Sequence, residues 1–343
     1  MQHEITRKQN LLRRNGSLSE AGFAKKQILQ YRRSDITANK YRIKEWDYYL
    51  VHNQDFAIAL TIADNSYMGL DSISFIDFKR PWQHTKSPIR LFPMGNTGMP
   101  EDSTTGNTEI FSNHHFISFK REDNYRILKF HMDNFYNHKT LDGEIVLGDP
   151  KGDSMVVATP FETDPYAFYY NEKINCMPAQ GSVKFGDDNY ELDSGDSIGL
   201  LDWGRGVWTR KNTWFWGSAS GGVNSTTFGF NIGYGFGDTT QATENMLFFN
   251  HKAHKIGNVE FNIPVKDEQD DFMSPWFFTS DDDRFKMIFT PIIDRAAKTN
   301  LGFISTNQHQ VFGRYTGKMV LDDGTVVNIK DLLGFAEKVY NKW

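Results

Sequence analysis

The stretch Leu200–Gly222, "LLDWGRGVWTRKNTWFWGSASGG", holds four of the chain's eight tryptophans: Trp203, Trp208, Trp214 and Trp216. Asp202, Arg205 and Arg210 stand among them. The stretch opens at the end of an apolar run, "IGLL", of the kind that forms a buried strand. Glycines follow between the rings, where they let strands bend and rings approach the backbone. The polar segment "TRKNT" turns the chain, so that Trp208 and Trp214 face each other across it. Trp214 and Trp216 share strand parity and point the same way. These features predict β-structure with an aromatic-lined cavity wall.

Strand signals extend outward in both directions. From Tyr41 on, "WDYYLVHN", "FAIALTIAD", "HHFISFKRED" and "YRILKFHMDN" are short and rich in β-branched and aromatic residues. "KFGDDNYEL" predicts a hairpin turning at Gly186–Asn189, and "VLDDGTVVNI" one around Asp323–Gly324. Strands and turns at this spacing predict an all-β fold of antiparallel barrels or sandwiches. Two segments read as helical. "SLSEAGFAKKQILQY" predicts a short helix capped by Ser19 in a basic N-terminal arm. "IKDLLGFAEKVYNKW" predicts a C-terminal helix whose Leu332, Leu333, Phe335, Ala336, Val339 and Tyr340 cover a barrel end. No Pro- or Gly-rich linker divides the chain. The first strand array ends near Asp193, which gives an arm over 1–40, a β-domain over 41–193 and a second over 194–343.

Composition narrows the function. A chain of 343 residues with 15% aromatic and 39% apolar content can build a packed core. A net charge of −5 argues against nucleic acid as a partner, since its binders usually carry a basic face. The single cysteine, Cys176, allows no internal disulfide and no cysteine metal site, and it fits a reducing compartment. No signal peptide or membrane-spanning run is expected, so the chain reads as cytoplasmic. His114–His115 alternate faces on a strand, and His251/His254 lie in strand and turn, so no metal site is expected. "SASGG" and "GFNIGYGFGD" match no phosphate loop or dinucleotide fingerprint, so no cofactor is expected.

The chemistry-bearing candidates centre on Asp202. A carboxylate at the end of a buried strand is disfavoured as the anion and suits a general acid. Arg205 can hold it ionised, anchor an anion or hydroxyl, or simply close the Gly204–Gly206 turn as a structural ion pair. Trp203, Trp208, Trp214 and Trp216 offer faces that stack on sugars or isoprenoids and stabilise cations. The second dense stretch, "NEKINCMPAQG", brings Asn171, Glu172, Asn175 and Gln180 to a strand, where each must be hydrogen-bonded or used on a ligand. Glu172 or Glu244 can complete a carboxylate pair with Asp202. Glu337 reads as a cap or surface residue, and Cys176 as a buried structural thiol.

With these residues in view, the chain resembles a bacterial family of unknown function. "RIKEWDYYLV", "NEKINCMPAQGSVKF", "LLDWGRGVWTRKNTWFWGSASG", "TENMLFFNHKAHKIG" and the segment ending "GFAEKVYNKW" carry the likeness, from about Leu11 to Trp343. That family is similar to the carotenoid 1,2-hydratase and AttH-like proteins, distant relatives of tocopherol cyclase. The resemblance implies two tandem lipocalin-like, calycin-type β-barrels with a ligand cavity. It also implies a place for Asp202 where the hydratases carry the aspartate of a Trp-Asp-His-x-Trp-Gly motif, which protonates an alkene. No histidine follows Asp202 here, and the fixed charge of Arg205 favours an anionic or sugar-like ligand over a carbocation. Three readings stand at this point. One is a cofactor-independent acid/base enzyme: a hydratase, lyase, cyclase or glycan-active hydrolase. The others are a carrier or sensor of a hydrophobic small molecule, and a structural protein whose tryptophans are only core.

Overall fold

The computed structural model describes residues 2–223, 226–300 and 305–343. Two large curled antiparallel sheets dominate the described residues, with two small two-stranded sheets beside them. The first runs edge to edge through Trp82–Lys86, Met68–Asp77, Phe56–Asp64, Ile43–His52, Ile198–Val207, Asp164–Phe185, Lys139–Gly148, Tyr125–Tyr136, His115–Arg121 and Thr108–Phe111. The second runs through Lys252–Lys255, Met246–Phe249, Thr226–Tyr234, Lys211–Val223, Val326–Lys342, Ser305–Val320, Phe285–Asn300, Trp276–Ser280 and Val259–Asn262. Each sheet wraps its own apolar core, one around Tyr49, Phe75 and Trp203, the other around Phe230, Trp276 and Tyr315. Among the described residues, no helix is long and apolar enough to cross a membrane.

The two expected hairpins form. Phe185 pairs with Asp188 around Gly186, whose φ of +61° suits a residue without Cβ. Val320 pairs with Val326 around Gly324.

Neither expected helix forms. Residues 326–342 are a strand pairing with Lys211–Val223 on one side and Ser305–Val320 on the other. From Leu332 to Glu337 every residue is buried. Leu332 and Ala336 face the second core, while Leu333 and Phe335 face the first body. A strand covered on both faces loses its polar alternation, and its continuous apolar run then resembles a helix face. In the arm, Gly22–Ala24 is a buried strand pairing with Met155–Phe161. Ser19 Oγ donates to the Leu11 carbonyl at 2.7 Å and caps nothing. The arm also reaches the second body, where His3 N–H donates to the Gln241 carbonyl at 2.7 Å.

Ile198–Val207 belongs to the first sheet, hydrogen-bonded between Ile43–His52 and Asp164–Phe185. The chain crosses to the second sheet between Val207 and Lys211. We therefore place the division between the bodies at that crossing and not at residue 193.

Side chains from both bodies fill the seam. Tyr48, Leu50 and Leu200 meet Trp216, Phe312 and Phe335 in one cluster. Tyr169 and Phe161 meet Phe236 and Phe248 in another, with Trp46, Trp208 and Trp214 packed against it. Each large side chain buried there contributes roughly 1.5–3 kcal/mol relative to exposure, so these clusters hold the two bodies against each other.

Candidate functional site

The site follows from strand parity. In the pairing of Asp164–Phe185 with Ile198–Val207, Lys173 lies opposite Asp202, Glu172 opposite Trp203, and Asn171 opposite Gly204. Tyr48 lies opposite Asp202 on the other side, and Trp46 opposite Gly204. Successive residues of a strand point to opposite faces. Lys173, Asp202 and Tyr48 therefore form a row facing the second body, with Asn171 and Trp46 beside it. A Cβ at Gly204 would fall inside the Trp46 indole, so glycine is what lets that ring lie on the sheet.

The second body presents a matching row. Trp216, Glu337, Gln310 and Arg295 are successive cross-strand partners over four strands. The two rows meet. Lys173 Nζ stands 4.0 Å from the centre of the Trp216 ring, and Tyr48 Oη lies 3.5 Å from Gln310 Oε1. Gln310 Nε2 donates to Glu337 Oε2 at 3.1 Å, and Trp214 Nε1 donates to Glu337 Oε1 at 3.0 Å. Arg295 Nη1 reaches back to Ser74 Oγ of the first body at 2.7 Å.

Asp202 is held by Lys173 Nζ at 2.8 Å and by Asn171 Nδ2 at 2.6 Å. Glu244 approaches the same ammonium at 4.0 Å. One cation thus serves two buried carboxylates. Burial pushes Glu337 up to about 7, against the pull of the Trp214 hydrogen bond and of Arg295 and Lys173. Burial also raises Glu244, with Lys173 pulling it down and Asp202 pushing it up. Tyr169, hydrogen-bonded to Glu244, is raised by burial and then by that carboxylate. Burial lifts Tyr48 to about 12, so it remains a neutral hydroxyl. Asn171 Oδ1 is buried beside Asp202 and has no donor.

An aromatic group adjoins this cluster. Trp46 stacks on Tyr169, and Trp208 packs edge-on against Trp46 at 5.4 Å and Trp214 at 6.0 Å. Phe236 closes the group against Tyr169, Trp208 and Trp214. The indole N–H of half-buried Trp208 has no acceptor.

Asp202, Glu244, Trp208, Trp214 and Trp216 therefore come together at the seam. Glu172, Trp203 and Arg205 do not, because each is an odd number of residues out of phase and points into the first body. Arg205 is fully buried there, donating from Nη1 to Asp47 Oδ1 at 3.0 Å and to the Trp46 carbonyl at 2.8 Å, and from Nη2 to the Pro100 carbonyl at 2.9 Å. Its carboxylate is Asp47, and the cation of Asp202 is Lys173. Trp203 lies under Arg205 at 4.1 Å, between the edges of Tyr31 and Tyr170. Glu172 accepts from Ser154 and Ser103 and cannot pair with Asp202. Asn175 lies in a bulge between Ile174 and Met177 and meets the second body, where Nδ2 donates to Ser218 Oγ at 2.7 Å. Cys176 is buried nearby, its thiol pushed up to about 12 by burial.

Lys173, Tyr48, Tyr169, Gln310, Arg295 and the role of Glu337 were missed. Lys173 was legible from period two in "NEKIN", which sets Asn171 and Lys173 on one face and Glu172 on the other. Glu337 was not, since a helical reading places it at the surface.

The structure is similar to that of a Nitrosomonas europaea protein provisionally assigned to AttH, with a TM-score of 0.52 and 9% identity over 90% of this chain and 96% of that one. This likeness supports the lipocalin-like fold expected above. A weaker likeness, with a TM-score of 0.49 and 10% identity over 88% of each chain, is to kievitone hydratase from Nectria haematococca. No curated protein matches the sequence. Residues 2–343 match the family described as Domain of unknown function (DUF2804), and the chain belongs to that family.

Proposed function

We propose that the chain is an enzyme that adds water to, or removes it from, a small and largely apolar molecule, without a cofactor, at the seam between its two β-bodies. The observation that carries this reading is the pair of facing rows. Glu337, at about 7, holds a proton near neutral pH, and across the seam Asp202 is held by an ammonium and an amide. Two carboxyl groups in contrasting environments are what an acid and a base require.

In the hydration direction, Glu337 gives its proton to a double bond. Asp202 takes a proton from a water, and the oxygen of that water bonds to the carbon left electron-poor. The elimination runs these transfers backwards. The buried acceptor Asn171 Oδ1 is positioned to orient the water beside Asp202. The rings of Trp208, Trp214 and Trp216 cover the reacting carbons and stabilise positive character on them. Glu244, whose proton affinity burial raises, and Tyr169 lie beside them. Arg295, at the far end of its row, suits a polar end of the ligand, and an isoprenoid or lipid-like body with one oxygen function fits this division.

The test uses the wild-type chain and Asp202→Asn, each exposed to lipid and polar cell extracts in heavy-oxygen water, with mass spectrometry of bound and converted compounds. The expected result is a product carrying the heavy oxygen, formed by the wild type and slowed about 10²–10⁴-fold in the variant. A compound retained unchanged by both proteins would mean a carrier and would overturn the assignment of Asp202.

A further inference from the structure

Away from the seam, inside the first body, a cavity of about 20 Å³ lies beneath the loop 100–106. Arg121, Arg126 and Trp203 are among its lining side chains. Each carries a buried nitrogen with no acceptor: Arg121 Nε, Arg126 Nη2 and Trp203 Nε1. Arg126 and Trp203 are themselves almost wholly buried, at 4% and 1% exposure. A buried N–H left unmatched destabilises the fold, because it gave up its hydrogen bond to water and gained none. Three residues that carry such donors, from three different strands, line one cavity.

The surroundings say what kind of acceptor fits. Arg121 and Arg126 both lean on Asp149, at 2.5 Å and 2.7 Å, so one carboxylate serves two guanidiniums. Asp47, on the cavity wall, is engaged by Arg205 and by Thr108 Oγ1. Asp102 is on the rim, but both its oxygens turn into its own loop and accept from Thr104 and Thr105. The space suffices for one water molecule or one monatomic ion. A water accepts only two hydrogen bonds and must place two hydrogens of its own, whereas a halide accepts from every side and donates nothing.

We infer that this cavity is a binding site for a small monovalent anion of the halide class, held by Arg126, Arg121 and Trp203. The ion ties the strands His115–Arg121, Tyr125–Tyr136 and Ile198–Val207 together under the loop that Arg205 already holds through the Pro100 carbonyl. Its role is structural, and it is independent of the chemistry proposed at the seam.

The experiment takes the full chain in sodium gluconate and replaces gluconate by bromide or chloride at constant ionic strength. Thermal stability is followed, and bromide is located by its anomalous scattering in crystals. The wild type should show a saturable rise in Tm and a bromide peak between Arg126 Nη2 and Trp203 Nε1. Trp203→Phe keeps the ring and removes one donor, which should weaken the halide Kd about tenfold. Arg126→Gln should abolish saturation. If Arg126→Gln does not fold, Trp203→Phe decides alone. A Tm that is flat in halide with no bromide peak would overturn the assignment, leaving a water in the cavity. So would a halide response of equal midpoint in Trp203→Phe.

Discussion

Glu337→Gln should make this protein more stable in mild base and flatten its response to pH. The side chain is buried at the seam, where burial lifts its proton affinity from the ordinary 4.5 to about 7. The folded state thus binds this proton more tightly than the unfolded chain does. The stability linked to it is present in full below about 4.5 and is lost as pH rises through about 7. The gap between those values corresponds to about 3 kcal/mol, an order-of-magnitude figure. A glutamine has no proton to lose. Its oxygen can still accept from Trp214 Nε1, as Glu337 Oε1 does at 3.0 Å. Its NH2 would then meet Gln310 Nε2, and a flip of the Gln310 amide presents an oxygen instead, with the Tyr48 hydroxyl turning to match. The substitution should therefore cost little at low pH.

Urea unfolding, followed by tryptophan fluorescence from about pH 5 to about pH 8.5, gives the difference between variant and wild type. That difference should grow by about 2–3 kcal/mol in favour of the variant across the range. A constant difference would show that Glu337 does not titrate in the folded protein, and the proton donor proposed at the seam would be lost with it.

Two further outcomes follow from the same geometry. Lys173→Met removes the ammonium shared by Asp202 and Glu244; it should cost about 3–5 kcal/mol near neutral pH and less in mild acid, where the carboxylates can take protons, as read by urea titration at both conditions. Gly204→Ala drives a methyl group into the Trp46 indole; a cost of about 1–3 kcal/mol is expected, with a changed near-UV circular dichroism spectrum, and an unchanged spectrum would refute the packing argument.

What the sequence made legible was local. Turn chemistry at Gly186 and Gly324 set two hairpins, and alternating aromatic runs marked an all-β chain. The C-terminal strand was not legible because its two covers come from different parts of the chain: Phe230 and Trp276 on one side, Tyr48 and Leu50 on the other. A run apolar on both faces has no period that separates strand from helix.

The site was half legible for a related reason. Density of interesting residues drew Asp202, Trp203 and Arg205 into one imagined wall, yet neighbours on a strand cannot share a face. Asp202 sits with Lys173 on the face turned to the second body and to the charge of Glu337, while Trp203 and Arg205 look inward to Tyr31, Asp47 and the loop at Pro100. The same stretch thereby serves two ends. Its even positions bring a carboxylate to a shared, dry seam where the second body presents Glu337. Its odd positions lock the first body with a buried arginine and leave an indole N–H beside the small cavity. A strand in this position couples the two, because a shift of one residue in its register would exchange the carboxylate for the indole and destroy both at once.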